Sequence, residues 1–377
     1  IAGDVELFAR AVRAPVAGIT GTNGKSTCAW LLADALGRCG RPAAYVGTLG
    51  RGRIDALQPS SHTTPDAITL QRWLSEALAG GARAVAMEVS SHALDQQRVA
   101  GVRFQAAAFT NLTRDHLDYH GSMEAYAAAK TRLFDWPTLH TRVLNVDDVH
   151  GRELARRLRD QQGLWLTSRT DDGSVANGQA HFVRARAVHA GNEGLELDVV
   201  SSAGEGRLRS PLLGEFNADN LLVVLALLLS LEVPLGDAID ALAACTAPPG
   251  RMQAVRGGAG RPLAVIDYAH TPDALAKVLA AVREHCRGLV WCVFGCGGDR
   301  DPGKRPLMGE VADEYADRVI LTDDNPRSEA PEAITAAIAS GMRRHRPSII
   351  NDRREAIRSA LSQAGARDLV LIAGKGH

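Results

Sequence analysis

Two α/β domains in tandem are predicted from three features of this sequence. Short apolar runs alternate with helix-spaced segments along most of its 377 residues. That alternation gives mostly parallel sheets with helices on both faces. Between His181 and Leu213 it yields to alternating apolar and polar residues with glycines at 191, 194, 204 and 206, an antiparallel addition to the first sheet. Ala247-Pro248-Pro249-Gly250-Arg251 then reads as a linker. Domains are therefore expected at 1–247 and 248–377, the second Rossmann-like but without a G-x-G-x-x-G run.

Composition narrows the class. Hydrophobic residues make up 45% and charged residues 23%, as in soluble globular proteins. Lys plus Arg and Asp plus Glu both number 43, which argues against a nucleic-acid or membrane surface. The apolar run Leu221 to Leu231 is too short to cross a bilayer, and no basic segment opens the chain as in a signal peptide. None of the cysteines (28, 39, 245, 286, 292, 296) forms a C-x-x-C pair, so buried free thiols in a reducing cytoplasm are expected. The chain opens at Ile1 rather than methionine and stops at His377 directly after an apolar run. A piece of a longer protein is expected.

The first domain is organised around Gly18-Ile19-Thr20-Gly21-Thr22-Asn23-Gly24-Lys25-Ser26-Thr27. A helical lead-in over 1–13 and an apolar strand ending at Thr20 precede the glycine-rich turn, and Cys28 to Leu36 has helical spacing. Glycines let several N–H groups point at one anion, at the positive end of a helix. Lys25 can reach outer phosphates and Ser26 can ligate Mg²⁺. The spacing is shorter than the common phosphate loop, but strand, glycines, lysine, hydroxyl and helix follow in order. The domain is thus phosphate-loop ATPase-like.

Further strands are expected at Ala43–Gly47, Ala84–His92, Ala106–Asn111 and Arg142–Val146. Thr64, before Pro65, is the expected cap of the next helix; contact of Thr63 with a ligand stays open. Glu88 falls at a strand end, where ligand chemistry gathers, and suits Mg²⁺ or its water. Asn111 to Gly121 carries two aspartates and two histidines, which fit a metal site or a capped loop equally. Lys130 lies on the helix Glu124–Phe134, where a lysine is ordinarily solvated. Gly214 to Asn220 opens the helix Leu221–Leu231. In the second domain strands are expected at 263–267, 288–294, 318–322, 347–350 and 368–373, with helices such as Ala274–Glu284 and Pro331–Arg343 between them. The loops 295–300 and 323–327 lie at its strand ends.

Together these motifs resemble the Mur ligase family of peptidoglycan synthesis. The resemblance rests on Gly21–Thr27, Glu88-Val89-Ser90-Ser91-His92 and Asn111-Leu112-Thr113-Arg114-Asp115-His116-Leu117-Asp118. It continues through Phe216-Asn217-x-x-Asn220, Gly250-Arg251-Met252 and Asp267 to Asp273. Within the family, Asp324-Asn325-Pro326-Arg327 is similar to the branch that adds meso-diaminopimelate, rather than lysine, as the third stem-peptide residue. The resemblance implies that ATP phosphorylates the D-glutamate carboxylate of UDP-MurNAc-L-Ala-D-Glu and that an amine displaces the phosphate.

It also implies site residues. Gly21, Thr22, Asn23, Gly24, Lys25, Ser26 and Thr27 would hold ATP phosphates, with Asn217, Asn220, Arg251, Tyr268, His270 and Asp273 towards the nucleotide. Ser26 and Glu88 would ligate one Mg²⁺, and His116 and a carbamylated Lys130 a second. Lys25, Asn111, His116 and Lys130 would be catalytic. Thr63, Thr64, Ser90, Gln96 and Arg98 would bind the muramoyl dipeptide. Arg300, Asp324, Asn325, Arg327 and Gly374 would bind diaminopimelate, whose distal carboxylate matches an arginine fork. A cytoplasmic monomer with no nucleic-acid or membrane partner is expected, closing its domains on substrate. Family members carry an N-terminal uridine-binding domain and continue past His377 into a glutamate, both expected to be missing here. The rivals are a folylpolyglutamate synthase-like ligase, which would consume glutamate, and a non-catalytic nucleotide-binding fragment.

Overall fold

The computed structural model describes residues 15–60, 62–170, 180–258 and 260–374. The lead-in over 1–13 and the segment 375–377 lie outside the described residues. The described chain forms two compact units. One takes the chain up to His189 with Glu196–Ser210 and Phe216–Cys245; the other takes Ala190–Leu195, Pro211–Glu215 and the chain from Thr246.

The first unit begins with β1 (Val16–Thr20) and α1 (Lys25–Arg38), then β2 (Ala43–Gly47), β3 (Gly50–Gly52), α2 (Ala67–Ala79), β4 (Ala84–Glu88) and α3 (Ser91–Asp95). It continues with β5 (Phe104–Phe109), α4 (Leu117–His120), α5 (Met123–Thr131), β6 (Thr141–Asn145), α6 (Val149–Arg157) and β7 (Leu164–Ser168). Next come β8 (His181–Gly191), β9 (Gly194–Ser201), β10 (Gly204–Ser210), α7 (Phe216–Ser230) and α8 (Leu235–Ala244). The sheet order is β10-β9-β8-β7-β6-β5-β1-β4-β2-β3. From β2 to β8 successive neighbours are parallel, and the two-residue connections of β8, β9 and β10 make the expected antiparallel addition. Strand β1 sits centrally, pairing β4 on one side and β5 on the other. The chain reverses direction across the sheet there, so the ends of β1, β4 and β5 open one crevice.

Burial explains the elements. The five residues of β1 are buried, as a strand covered on both faces requires. Helix α7 is buried almost throughout, which fits its unbroken apolar run. It begins at Phe216, so Asn217 and Asn220 stand on its first turns. Two elements differ from the sequence reading. Ser91 and His92 belong to α3, capped by Ser90, whose Oγ accepts from the Ala93 N–H at 3.1 Å. The cap of α2 is Asp66, not Thr64. The Asp66 carboxylate accepts from the N–H groups of Ile68 and Thr69 at 3.1 and 3.0 Å. Thr64 is buried and bonds β4 instead.

The second unit adds β11 (Gln253–Arg256), β12 (Leu263–Asp267), α9 (Pro272–Glu284), β13 (Val290–Phe294), α10 (Lys304–Tyr315), β14 (Arg318–Leu321), α11 (Pro331–Ala339), β15 (Ser348–Ile349), α12 (Arg353–Gln363) and β16 (Leu369–Ala373). Its sheet order is β11-β12-β16-β13-β14-β15, parallel apart from the β11–β12 edge. Val290, Cys292 and Phe294 face one core with α9 and α10. Trp291 and Val293 face the other with Ala356 and Ala360 of α12. This is the period-2 alternation of a strand covered on both sides.

Candidate active site

The loop after β1 is tied down by the loop after β5. The Thr22 N–H donates to Asn111 O at 2.8 Å, and the Asn23 N–H to Asn111 Oδ1 at 2.9 Å. Asn111 Nδ2 and Thr110 Oγ1 both donate to Asn23 O, at 3.3 and 2.6 Å. Gly24 has φ +83°, and a Cβ there would lie 2.3 Å from Asn220 Oδ1; only glycine meets both conditions without strain. Asn220 in turn donates to Asn217 Oδ1 at 2.8 Å. Both asparagines are buried behind the loop, so they shape it from beneath. Ser26 and Thr27 open α1.

Two lysines converge on one carbonyl. Lys25 Nζ donates to Gly21 O at 2.9 Å and to Thr22 O at 2.8 Å, and Lys130 Nζ donates to Gly21 O at 2.8 Å. Lys130 is not solvated: it is 1% exposed, with Nζ 4.4 Å from the centre of the Tyr126 ring. Burial, and secondarily the Lys25 charge, bring its pKa from 10.5 down to about 6. At neutral pH it is mostly an uncharged amine.

Glu88 ends β4 opposite Ile19 of β1 and is buried. It accepts from the Tyr45 hydroxyl, from the Thr48 N–H at 2.8 Å and from Thr48 Oγ1 at 3.2 Å. Thr48 Oγ1 also lies 3.0 Å from Thr63 Oγ1. Thr64 Oγ1 donates to Glu88 O at 2.8 Å and accepts from the Ser90 N–H at 3.3 Å. The carboxylate and the Ser26 hydroxyl are hard oxygen donors of the kind Mg²⁺ takes. Among the described residues no group of three or more His, Cys, Asp or Glu is arranged to hold a metal ion.

A continuous run of contacts joins the expected dipeptide residues to the phosphate loop. Arg98 Nη1 donates to Thr64 O at 3.1 Å and Nε to Gln96 Oε1 at 2.8 Å. Gln96 Nε2 donates to the Tyr119 hydroxyl at 3.0 Å, which donates to Asp95 Oδ2 at 3.0 Å. The Tyr119 ring lies 4.2 Å from His92, His92 4.9 Å from His116, and His116 5.9 Å from Tyr126. The Tyr126 hydroxyl reaches Thr22 Oγ1 at 3.2 Å. Burial, then the other histidines, lowers the pKa of His92, and burial lowers that of His120. His116 itself is half exposed, in a left-handed conformation with φ +51°.

In the second unit, Arg251, Tyr268 and His270 gather where β12 ends. The Arg251 guanidinium lies 5.8 Å from the Tyr268 ring centre and Tyr268 4.8 Å from His270. Asp273 pairs Lys277 at 2.7 Å. The loops after β13 and β14 bring Arg300, Asp324, Asn325 and Arg327 to neighbouring strand ends. Gly374 follows β16 beside them, near Gly295 O. The sequence reading did not single out Tyr45, Thr48, Tyr119 or Tyr126. Tyr45 lies in an apolar strand and looks like core, which it also is.

This is a phosphate-loop ATPase-like domain with buried Glu88 and Lys130 near its glycine-rich turn, followed by an α/β domain with polar strand-end loops. Residues 19–228 match the Mur ligase middle domain and residues 250–376 the Mur ligase, glutamate ligase domain. The chain is 52% identical over 361 residues to a UDP-N-acetylmuramoyl-L-alanyl-D-glutamate–2,6-diaminopimelate ligase of Pseudomonas aeruginosa, covering 96% of this chain and 72% of that one. A solved structure of a ligase of that name superposes with a TM-score of 0.76 at 41% identity, covering 97% and 73% of the two chains. The folylpolyglutamate synthase of Mycobacterium tuberculosis shares the fold at a TM-score of 0.68 and 17% identity, covering 98% and 92%. The chain belongs to the Mur ligase family.

Proposed function

We propose that this chain is an ATP-dependent amide ligase that joins meso-diaminopimelate to the D-glutamate carboxyl of UDP-MurNAc-L-Ala-D-Glu in peptidoglycan precursor synthesis. Residues 1–247 take ATP and the muramoyl dipeptide, and residues 248–377 the incoming amino acid. The observation that carries the reading is the unbroken run of contacts from Thr64 through Arg98, Gln96, Tyr119, His92, His116 and Tyr126 to Thr22. It links a carboxylate-binding region to a phosphate-binding loop.

A carboxylate is a poor electrophile, and transfer of the γ-phosphoryl group to it supplies a leaving group. The diaminopimelate amine then attacks the carbonyl carbon, the tetrahedral adduct expels phosphate, and an amide remains as the amine loses its proton. Two anions must meet in the first step. Lys25 and the N–H groups of the loop offset that charge at the γ-phosphate. Thr63, Thr64, Ser90, Gln96 and Arg98 orient the dipeptide carboxylate towards it, and Asn111 holds the loop in shape.

ATP and Mg²⁺ use follows from family membership. We assign Ser26 and Glu88 to one Mg²⁺ and His116 with a carbamylated Lys130 to a second, where the metal would neutralise phosphate charge. A neutral, buried Lys130 amine is the form that reacts with carbon dioxide. Arg300, Asp324, Asn325, Arg327 and Gly374 take diaminopimelate, and the Arg251 cluster takes the nucleoside end of ATP. We place the protein in the cytoplasm as a monomer without nucleic-acid or membrane partners. Among the described residues no helix is long and apolar enough to cross a membrane.

Phosphate release with ATP, Mg²⁺ and UDP-MurNAc-L-Ala-D-Glu tests the reading, run separately with meso-diaminopimelate and L-lysine, with a further arm of a folate substrate and L-glutamate and a measurement of ATP binding. Release with meso-diaminopimelate alone is expected. Release with lysine would overturn the specificity, and release only with a folate substrate and glutamate would overturn the ligase assignment. ATP binding with no turnover in any arm would favour a non-catalytic nucleotide-binding role.

A further inference from the structure

We infer that Arg305 and Glu329 are positioning residues that set the amino-acid specificity of the site by locking the loop carrying Arg327 to the loop carrying Arg300. The inference rests on the proposed diaminopimelate reading and deepens it. No local sequence pattern marks either residue.

The two loops follow adjacent parallel strands, β13 and β14, and meet backbone to backbone. The Gly298 N–H donates to Asn325 O at 2.9 Å. A Cβ on Gly298 would lie 1.9 Å from Pro326 O, and one on Gly295 2.0 Å from Thr322 O, so a side chain at either position would force the loops apart. Arg327 Nη1 donates to Gly298 O at 2.6 Å and, more weakly, to Asn325 O at 3.5 Å. Among the described residues nothing bonds its Nε or Nη2. One edge of the guanidinium is therefore anchored while the other keeps the two parallel N–H donors that a carboxylate accepts side by side.

That anchoring is only as good as the fit of the two loops, and side chains set the fit. Glu329 accepts from Arg305 Nη1 at 2.8 Å and Nη2 at 2.7 Å, and from the Asp299 N–H at 2.6 Å. The paired guanidinium holds the Glu329 carboxyl down at about 2, so it stays ionised at any working pH. Asp299 returns the contact: its carboxylate accepts from Ser328 Oγ at 2.6 Å and from the Ser328 N–H at 3.3 Å. Arg305 Nη2 also reaches Gly297 O at 3.4 Å. Asp299 and Arg327 both take left-handed backbone conformations, with φ +51° and +52°. Such strain at non-glycine residues persists only where surrounding contacts over-determine it.

Arg305 works through Glu329 rather than on substrate, because its side chain is only 5% exposed against 32% for Glu329. Its Nε is buried with no partner. An ion pair between a buried guanidinium and a partly exposed carboxylate adds little net stability, and an attested use of such pairs is fixing one arrangement among several. Here the arrangement fixed is the height and tilt of Arg327. A ligand with a second carboxylate gains from a rigid fork; lysine, which lacks that carboxylate, gains nothing.

The test compares full-length wild type, Glu329→Gln, Ser328→Ala, Arg327→Ala and the Glu329→Gln/Arg327→Ala double variant. It measures kcat and KM for meso-diaminopimelate, ATP and UDP-MurNAc-L-Ala-D-Glu, turnover with L-lysine and with L-glutamate, and melting temperature alongside. Glu329→Gln is expected to raise the KM for meso-diaminopimelate about tenfold while the other KM values hold. Ser328→Ala, an exposed hydroxyl deletion that cannot unfold the domain, is expected to shift the same KM by about threefold with an unchanged melting temperature. In the Arg327→Ala background, Glu329→Gln should add nothing, because its effect runs through Arg327. An unchanged KM for meso-diaminopimelate in both Glu329→Gln and Ser328→Ala would overturn the inference. So would an effect of Glu329→Gln that falls equally on all substrates and persists without Arg327. A wild type that consumes lysine or glutamate instead of meso-diaminopimelate overturns the functional reading itself. A wild type that selects meso-diaminopimelate, with variants that keep its KM, overturns the positioning role alone.

Discussion

The loop at Gly21–Gly24 and the loop pair at 295–300 and 323–329 both lie at strand ends, but they are held differently. Most of the bonds on the first involve its backbone: Thr22 and Asn23 engage Asn111 and Thr110, and two lysines converge on Gly21 O. The second is held largely by charged side chains, Glu329 on Arg305 and Asp299 on Ser328. A backbone-held loop keeps its shape whichever substrate arrives, which suits phosphate, common to every ATP. A loop locked by side chains can be retuned by single substitutions, which suits the proposed amino-acid site.

The largest expected break falls on the first region. Lys25→Ala should lower the rate of phosphate release by about a thousandfold, because the charge offset at the γ-phosphate is lost. Stopped-flow phosphate detection at saturating substrates checks it. Paired glycine substitutions then separate the two regions. Gly24→Ala places a methyl group 2.3 Å from Asn220 Oδ1 and should weaken binding of a non-hydrolysable ATP analogue by about tenfold or more, read by calorimetry. Gly298→Ala should leave that binding alone and raise the KM for meso-diaminopimelate by about tenfold. Equal losses of both functions in either variant would collapse the distinction.

A subtler effect is expected at the proposed Mg²⁺ site. Tyr45→Phe removes a hydroxyl that orients Glu88, and the Mg²⁺ concentration for half-maximal turnover should rise about tenfold with little change in the KM for ATP.

A separate effect concerns stability rather than turnover. Lys130 has a pKa brought down from 10.5 to about 6 in the folded protein, so between those values the unfolded chain binds a proton that the folded chain does not. Stability must then rise with pH through that window. Below about 6 both states are protonated and the penalty is complete; above 10.5 neither is, and it disappears. In carbon dioxide-free buffer the melting temperature should climb from pH 6 to pH 9 more steeply in wild type than in Lys130→Met.

The contrast between the regions also explains what could be read from the sequence. Glycine spacing and a following helix mark a backbone-held loop, so the turn after β1 and the alternating α/β plan are legible in the sequence. The Arg305–Glu329 pair spans 24 positions and joins a helix to a loop on another strand, which no local pattern encodes. On spacing alone Lys130 is an ordinary helix lysine, and only the family resemblance implies a role for it. Its burial depends on Tyr126 one turn earlier and on Gly21, which lies 109 positions away. A hydroxyl before proline is a good local signal for a helix cap, and it points to Thr64 for α2. The fold gave that hydroxyl a better partner in β4 and left Asp66 to cap.

The most direct measurement is isotope transfer. UDP-MurNAc-L-Ala-D-Glu labelled with oxygen-18 in the D-glutamate side-chain carboxylate is turned over with ATP, Mg²⁺ and meso-diaminopimelate, and the released phosphate is examined by mass spectrometry. Acyl-phosphate chemistry predicts one labelled oxygen in each phosphate released. Phosphate free of label, despite amide formation, would contradict the account.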